Sequence, residues 1–337
     1  MLNITSQVSA DTRASAENIP LEVLQATQPL VMRGLVQHWP VVKASRQSPS
    51  QAADYLRRYY QGKPVVVSVG KPEIDGRVFY NATFTDFNYE SHKVNLNQLL
   101  DKLLLHLKDE KPPTLYMGST VVDDWLPGLR QENDLALQSL SPRVGIWLGN
   151  KNRIAAHWDL PTNIACTVAG HRRVTLFPPD QLENLYPGPL TWAPGGQAIS
   201  LVDFHQPDYT QFPKFKEALA HAQIVELHPG DALLIPSMWW HHVESLAPFN
   251  ILINYWWRDV PQYMGTPMNV LHHALLTLRD LPAEQRKVWQ EIFTHYIFEH
   301  NGQTHDHIPE HAQGVLGEMD EDKARKLRAF LLSQLNR

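Results

Sequence analysis

The chain is nearly without cysteine: Cys166 is the single thiol in 337 residues. One thiol excludes an intramolecular disulfide framework and suits a reducing compartment, and a lone cysteine inside an apolar run reads as a small core residue. A basic excess is missing as well. Lys and Arg number 30 against 35 Asp and Glu, a net charge of −5, which argues against a general nucleic-acid binder. No apolar run approaches the length of a bilayer span, and the start, MLNITSQVSADTRASAEN, has no basic segment followed by an apolar stretch of the kind that marks a secretory signal. The expectation is a cytoplasmic protein. Internal repeats and low-complexity tracts are absent.

What is present is 43% hydrophobic residues, enough for a sizeable core, and 17 histidines. After a polar leader, PLVMRGLVQHWPVV reads as strand and turn. Ser48-Pro49 predicts a helix cap and first turn leading AADYLRRYY. KPVVVSVG predicts a buried strand, and GRVFYNATFTDFNY, alternating aromatic and polar residues, predicts strand pairing. Leu96, Leu99, Leu100, Leu103, Leu104 and Leu107 fall at helical spacing as one core-facing stripe. From Thr114 to Trp257 short strands punctuated by Pro and Gly predict an antiparallel barrel or sandwich. Within it, IACTVAG, a turn at Gly170-His171 and RVTLFPP read as a hairpin. The segment from Trp192 to Phe204 lies in a long aperiodic stretch rich in Pro, Gly and aromatics, the character of a lid or binding loop. Beyond Trp257 three amphipathic helices are expected, serving as a cap on the barrel or as a dimer interface. The second carries Val288, Trp289, Ile292, Phe293, Tyr296 and Ile297 on one face.

Chemistry concentrates in two stretches, NKNRIAAHWDLPTNIACTVAGHRRVTLFPP and HPGDALLIPSMWWHH. In an extended strand His157 and Asp159 point to one face, so imidazole and carboxylate converge on one ion, and His241 completes a set of two His and one carboxylate. That set leaves coordination positions open, as non-haem Fe(II) oxygenases require. The triplet alone is unspecific, because chance supplies about two His-x-Asp/Glu triplets in such a composition. The chain has two, the other being His242-Val-Glu244. Context distinguishes them: strand neighbours face opposite ways, so His242 points away from a metal that His241 faces. His300, His305, His307 and His311 crowd one loop, but cysteines or carboxylates at ligand spacing do not accompany them.

The run HWDLPTNIACTVAGHRRVTLFPPDQLENLYPGP, then SLVDFHQPDYTQFPKF, then HPGDALLIPSMWWHHVESL and INYWW, resembles the JmjC/cupin-type Fe(II)- and 2-oxoglutarate-dependent oxygenases, most of all the asparaginyl hydroxylase that inhibits hypoxia-inducible factor. The likeness runs from about Tyr116 to Trp257 almost without gaps. It implies a mainly β fold with α: a double-stranded β-helix (jelly-roll, cupin) core over 114–260, an N-terminal α/β elaboration over 1–113 and C-terminal helices over 261–337 that pair two copies. It also implies Fe(II) held by His157, Asp159 and His241, with 2-oxoglutarate and O2 as cosubstrates. Arg172 stands where the family usually has a lysine for the far carboxylate of 2-oxoglutarate; Arg173 is the alternative if it takes the inward face. Asn163, Asn254 and Tyr116 match family positions near the cosubstrate. Trp147, Trp239, Trp240 and Trp256 are expected as apolar walls. Two departures matter. Ile154 replaces a threonine, and Ala198 and Ile199 replace an Arg-Gln pair that grips a substrate asparagine, so the chemistry is expected to carry over and the asparagine specificity is not. The implied activity is hydroxylation of a protein or peptide side chain, or of a small molecule, held under the loop from Trp192 to Phe204. A catalytically silent metal- or ligand-binding module and a lysine demethylase are the competing readings.

Overall fold

Local chemistry sets the first elements. A computed structural model describes residues 2–336, beginning with β1 (Ser9–Asp11), the one-turn α1 (Leu21–Leu24), β2 (Leu30–Met32), α2 (Pro40–Gln47) and α3 (Pro49–Arg57). The Ser48 hydroxyl accepts from the Gln51 N–H at 3.1 Å, and Pro49 occupies the first turn, where a missing N–H removes no helical bond. β3 (Val65–Gly70), β4 (Arg77–Val78) and β5 (Tyr89–Val94) follow. α4 (Leu96–Leu105) opens with a capping box between Asn95 and Gln98, and Leu96, Leu99, Leu100 and Leu103 are buried as the stripe predicts.

Two expectations in this region need correction. β3 is only half buried: Val65 and Val67 face the core at 2% exposure, whereas Val66 is 52% exposed, since β3 lies next to the sheet edge. The stretch from Gly76 to Tyr89 pairs only through β4, one bridge, Tyr80 to Phe87, and its last residue, Tyr89, which opens β5 opposite Gly70; between Tyr80 and Phe87 the Asn81 side chain accepts from the Thr85 N–H and closes a turn.

The remaining strands are β6 (Thr114–Val121), β7 (Arg143–Gly149), β8 (Asn152–His157), β9 (Thr162–Ala169), β10 (Arg172–Phe177), β11 (Gln223–Leu227), β12 (Ala232–Ile235), β13 (Trp240–Ser245) and β14 (Asn250–Trp257), with the short α5 (Val122–Trp125) and α6 (Phe215–Ala220) between them. They form two sheets. One runs β1-β2-β12-β9-β14-β7-β6-β3-β5, the other β11-β10-β13-β8-β4. Pairing is antiparallel except between β1 and β2 and between β4 and β8. This is the jelly-roll arrangement of a mainly β protein with helices added. The outer face of the nine-stranded sheet packs Ile164, Cys166, Ile251 and Ile253 against Leu56, Leu99 and Leu100 of the helices. Between the sheets lie Val174, Leu176, Leu233 and Ile235.

β9 and β10 are not a hairpin. Gly170, at φ +71°, makes the expected turn, but β9 pairs with β12 and β14 while β10 pairs with β11 and β13 in the opposite sheet. All but the first residue of β9 is buried, so both of its faces are covered, and a central place in the larger sheet satisfies that better than pairing with its neighbour in sequence.

The chain divides into two compact units, Met1–Arg258 and Asp259–Arg337. The second holds α7 (Met268–Thr277), α8 (Ala283–Phe293) and α9 (Glu321–Leu335), the last capped by Asp320, which accepts from the Lys323 N–H at 2.8 Å. Val288, Trp289 and Ile292 of α8, with Tyr296 and Ile297 beyond it, are exposed. Among the described residues no helix is long and apolar enough to cross a membrane.

Candidate metal centre

Strand alternation turns one set of side chains into the space between the sheets. Asn163 and Ala165 of β9, Leu252, Asn254 and Trp256 of β14, Arg172 and Val174 of β10, and His241 and Val243 of β13 line a cavity of about 510 Å³. His157, Asp159 and Tyr116 line it as well, so all seven residues singled out from the sequence share one cavity.

His157 and His241 are cross-strand partners of β8 and β13. Beyond them the register shifts by a bulge, which lets β8 present both Ile154 and His157 to the cavity. Their ring centroids are 4.3 Å apart. His157 Nδ1 lies 2.9 Å from the Ala155 carbonyl and His241 Nδ1 lies 3.0 Å from the Trp239 carbonyl. A carbonyl only accepts, so each Nδ1 carries the proton and each Nε2 keeps a free lone pair. Asp159 lies just past β8, its backbone carbonyl accepting from the Met238 N–H at 2.9 Å. Met238, in the left-handed region at φ +68°, shapes the loop that delivers Trp240 and His241.

One ligand atom from each of His157, Asp159 and His241 lies within 4.8 Å of the other two. His241 Nε2 and Asp159 Oδ2 are 3.6 Å apart, beyond hydrogen-bond length and close for two electron donors with no proton between them. Burial drives the His157 imidazole down to about 4, with His241 adding to the shift, so it is neutral and ligand-competent at neutral pH. Burial works to raise the Asp159 carboxyl, yet its interactions with His241 and His157 hold it below its usual range. Two imidazoles and one carboxylate, converging from one side, fit Fe(II). Among the described residues this is the only group of three side chains so placed; the loop carrying His300, His305, His307 and His311 gathers none.

Arg172 is 4% exposed and donates to the Ile251 carbonyl at 3.0 Å. Burial lowers its guanidinium to about 10, partly offset by Tyr116, so it remains a buried cation. Among the described residues no carboxylate pairs with it. Arg173 faces the other way and is bound to Glu226 at 2.7 Å, which settles the choice of inward arginine. The Trp147 indole N–H donates to Asn254 Oδ1 at 2.7 Å, and Asn254 Nδ2 donates to Asn163 Oδ1 at 3.2 Å, a ladder across three strands. Burial raises the Tyr116 phenol above its usual range, keeping it a neutral donor.

Trp147 and Trp256 line the cavity, but Trp239 and Trp240 do not. A strand that turns His241 inward turns Trp240 outward, into a cluster with Phe177 and Phe204, and the Trp239 indole is tied to the Thr27 carbonyl at 3.1 Å. Ile154 and Ile199 line the cavity where the resemblance expected polar groups.

The loop between the ligand-bearing strands lies over this site. Ser200 N–H donates to the Ala156 carbonyl at 2.7 Å, and Asp203 is held by Arg153 and Arg77. Trp192 stacks on Phe87 at 4.9 Å, and its carbonyl accepts from the Tyr80 hydroxyl at 2.8 Å. Gln197 of the same loop donates to Asp159 Oδ1 at 3.0 Å. The sequence reading missed Gln197, because an aperiodic loop carries no signal for which of its side chains turns inward.

A cupin-like domain family model matches residues 16–263, about three quarters of the chain. Among curated relatives, lysine-specific demethylase 8 of Xenopus tropicalis is 23% identical over 255 residues, covering 72% of this chain and 51% of the relative. Lysine-specific demethylase JMJ31 of Arabidopsis thaliana is 31% identical over 140 residues, 39% of this chain and 24% of the relative. Human HSPB1-associated protein 1 is 35% identical over 113 residues, 33% of this chain and 22% of the relative. The chain thus spans about half or less of the length of these relatives. With the family match extending across both sheets and all three ligand positions, this chain belongs to the cupin-like domain family.

Proposed function

We propose that the chain is an Fe(II)- and 2-oxoglutarate-dependent dioxygenase that hydroxylates a side chain of a protein or peptide, converting 2-oxoglutarate and O2 to succinate and CO2 as it does so. The observation that carries this reading is a buried arginine without a carboxylate partner among the described residues, Arg172, in the same cavity as the His157, Asp159 and His241 set. A buried cation left uncompensated is costly, so an anionic occupant is favoured there, and a guanidinium can grip a carboxylate in two parallel hydrogen bonds. Bound iron supplies the activation of dioxygen. The protein's own residues position and exclude: His157 and His241 present Nε2, Arg172 and the Tyr116 hydroxyl hold the far carboxylate of the cosubstrate, the Trp147–Asn254–Asn163 ladder fixes the floor, and the loop over Asp159 keeps water out.

Lysine demethylation is the second reading, favoured by the names of two relatives. Hydroxylation of a small molecule fits the cavity volume equally well, and a silent binding module would retain the metal set without turnover. A cytoplasmic setting goes with the single buried thiol, and pairing of two copies through the exposed faces of the C-terminal helices goes with their apolar character.

The test is succinate formation from 2-oxoglutarate by the Fe(II)-loaded protein. Turnover in the wild type, abolished in both His157→Ala and Asp159→Ala, supports the proposal; equal turnover in the variants refutes it, and no turnover with intact metal binding favours the silent module.

A further inference from the structure

Hydrogen-bond donors without acceptors gather at the outer end of the cavity. Arg143, Gly145 and Trp147 are alternate residues of β7 and share its inner face, opposite Trp256, Asn254 and Leu252 of β14. Trp147 and Asn254 satisfy each other, but their neighbours do not. Among the described residues the buried Trp256 indole N–H has no acceptor, and the buried Ser119 hydroxyl of β6 has no partner either, both in residues that line the cavity. Arg143 is exposed at the rim, its guanidinium 6.0 Å from the centre of the Trp256 ring, and among the described residues it has no carboxylate partner. Gly145 leaves room for this group: a Cβ there would come within 3.1 Å of Ser119 Oγ and 2.7 Å of Asn254 Oδ1.

The charge of the wall is equally one-sided. Among the described residues lining the cavity, Asp159 is the only carboxylate, and it belongs to the metal set; against it stand Arg143 and Arg172. A methylammonium group is recognised by aromatic faces and acids. Here the aromatic face at the rim already carries a guanidinium, and no acid is free.

Resting on the oxygenase reading above, we propose that Arg143, the Trp256 indole N–H and the Ser119 hydroxyl form a subsite for a carboxylate of the primary substrate, which is therefore an acidic side chain of a peptide or a free organic acid and not a methylated lysine. Arg172 serves the cosubstrate at the buried end, and Arg143 selects the substrate at the open end. The two arginines divide the cavity between two anions.

The experiment uses the full chain loaded with Mn(II) and first titrated with 2-oxoglutarate, which tests the oxygenase reading separately. Three probes then follow by calorimetry: a blocked tripeptide with a central aspartate, free N-acetylaspartate, and a blocked tripeptide with a central trimethyllysine. Saturable binding of at least one acidic probe is expected, weakened about tenfold or more by Arg143→Gln, as loss of a charge-assisted hydrogen bond implies, and weakened also by Trp256→Phe, which keeps the ring and removes the N–H. Which acidic probe binds tells peptide from free acid. Tighter binding of the trimethyllysine peptide, no binding of either acidic probe, or acidic binding indifferent to Arg143→Gln overturns the proposal. If 2-oxoglutarate itself does not bind, the oxygenase reading fails, while the same three titrations on the Mn(II) protein still decide the subsite.

Discussion

His157 and His241 face each other across neighbouring antiparallel strands, each with its Nδ1 held by the backbone carbonyl two residues before it in the chain, Ala155 and Trp239. The same device repeated on both strands fixes both tautomers and both ring orientations without any third side chain. It leaves Asp159 as the ligand whose carboxylate is held by a side chain, through a loop contact from Gln197.

That contact makes Gln197 a positioning residue for the carboxylate. Partners of this kind, one bond removed from a metal, contribute about ten- to a hundredfold in metal affinity. Gln197→Leu is expected to weaken Mn(II) binding by about that factor, and Gln197→Asn to recover little of it because the shorter side chain falls short of Oδ1. Calorimetric titration of Mn(II) into the metal-free variants checks this. Wild-type affinity in Gln197→Leu would show that the contact is incidental.

The buried histidines give the metal-free protein a defined response to acid. Burial lowers His157 from 6.5 to about 4, and lowers His242, packed against Phe204, from 6.5 to about 3. The unfolded chain therefore takes up protons first as the pH drops. Stability from keeping these groups neutral is complete above 6.5 and is lost progressively as the pH falls toward about 4 for His157 and about 3 for His242. Urea midpoints of the metal-free protein are expected to be lower at about pH 5 than at about pH 7.5, with a smaller difference in His157→Asn. Equal pH differences in variant and wild type would contradict the assignment.

Association is expected through the second unit. Val288, Trp289, Ile292 and Ile297 present an apolar face that monomeric proteins seldom leave open. Sedimentation is expected to give a dimer in the wild type and a monomer in Trp289→Asp. A monomeric wild type at micromolar concentration would remove this part of the proposal.

Much of the site was legible in the sequence, for physical reasons that differ residue by residue. His157, Asp159 and His241 sit in short strand-turn contexts whose alternation fixes which way they face, and the same alternation separates His241 from His242. Arg172 and Arg173 could not be told apart by type, only by partner: Arg173 lies opposite Glu226 in the register of β10 and β11 and pairs with it. The supposed hairpin of β9 and β10 failed because a tight turn between two apolar runs looks alike whether the second strand folds back or crosses to a facing sheet. The signal that would have corrected it was the apolarity of IACTVA on both of its faces, broken only by Thr167, which demands cover on both sides. Trp240 was misplaced by reading aromatic content without applying to it the alternation applied to His241, and Trp239, which precedes β13, is drawn off by its indole bond to the Thr27 carbonyl. Arg143 and Gln197 carried no local signal, since an arginine at a strand start and a glutamine in a glycine-rich loop are ordinary surface residues until the fold turns them toward a cavity.

The most direct measurement is calorimetric titration of 2-oxoglutarate into the Mn(II)-loaded protein, wild type and Arg172→Ala. Saturable binding in the wild type, weakened at least about a hundredfold in the variant as loss of a buried bidentate ion pair implies, is the expected result. Absence of binding in the wild type, or equal binding in the variant, would contradict the assignment of this cavity to an anionic cosubstrate beside a metal.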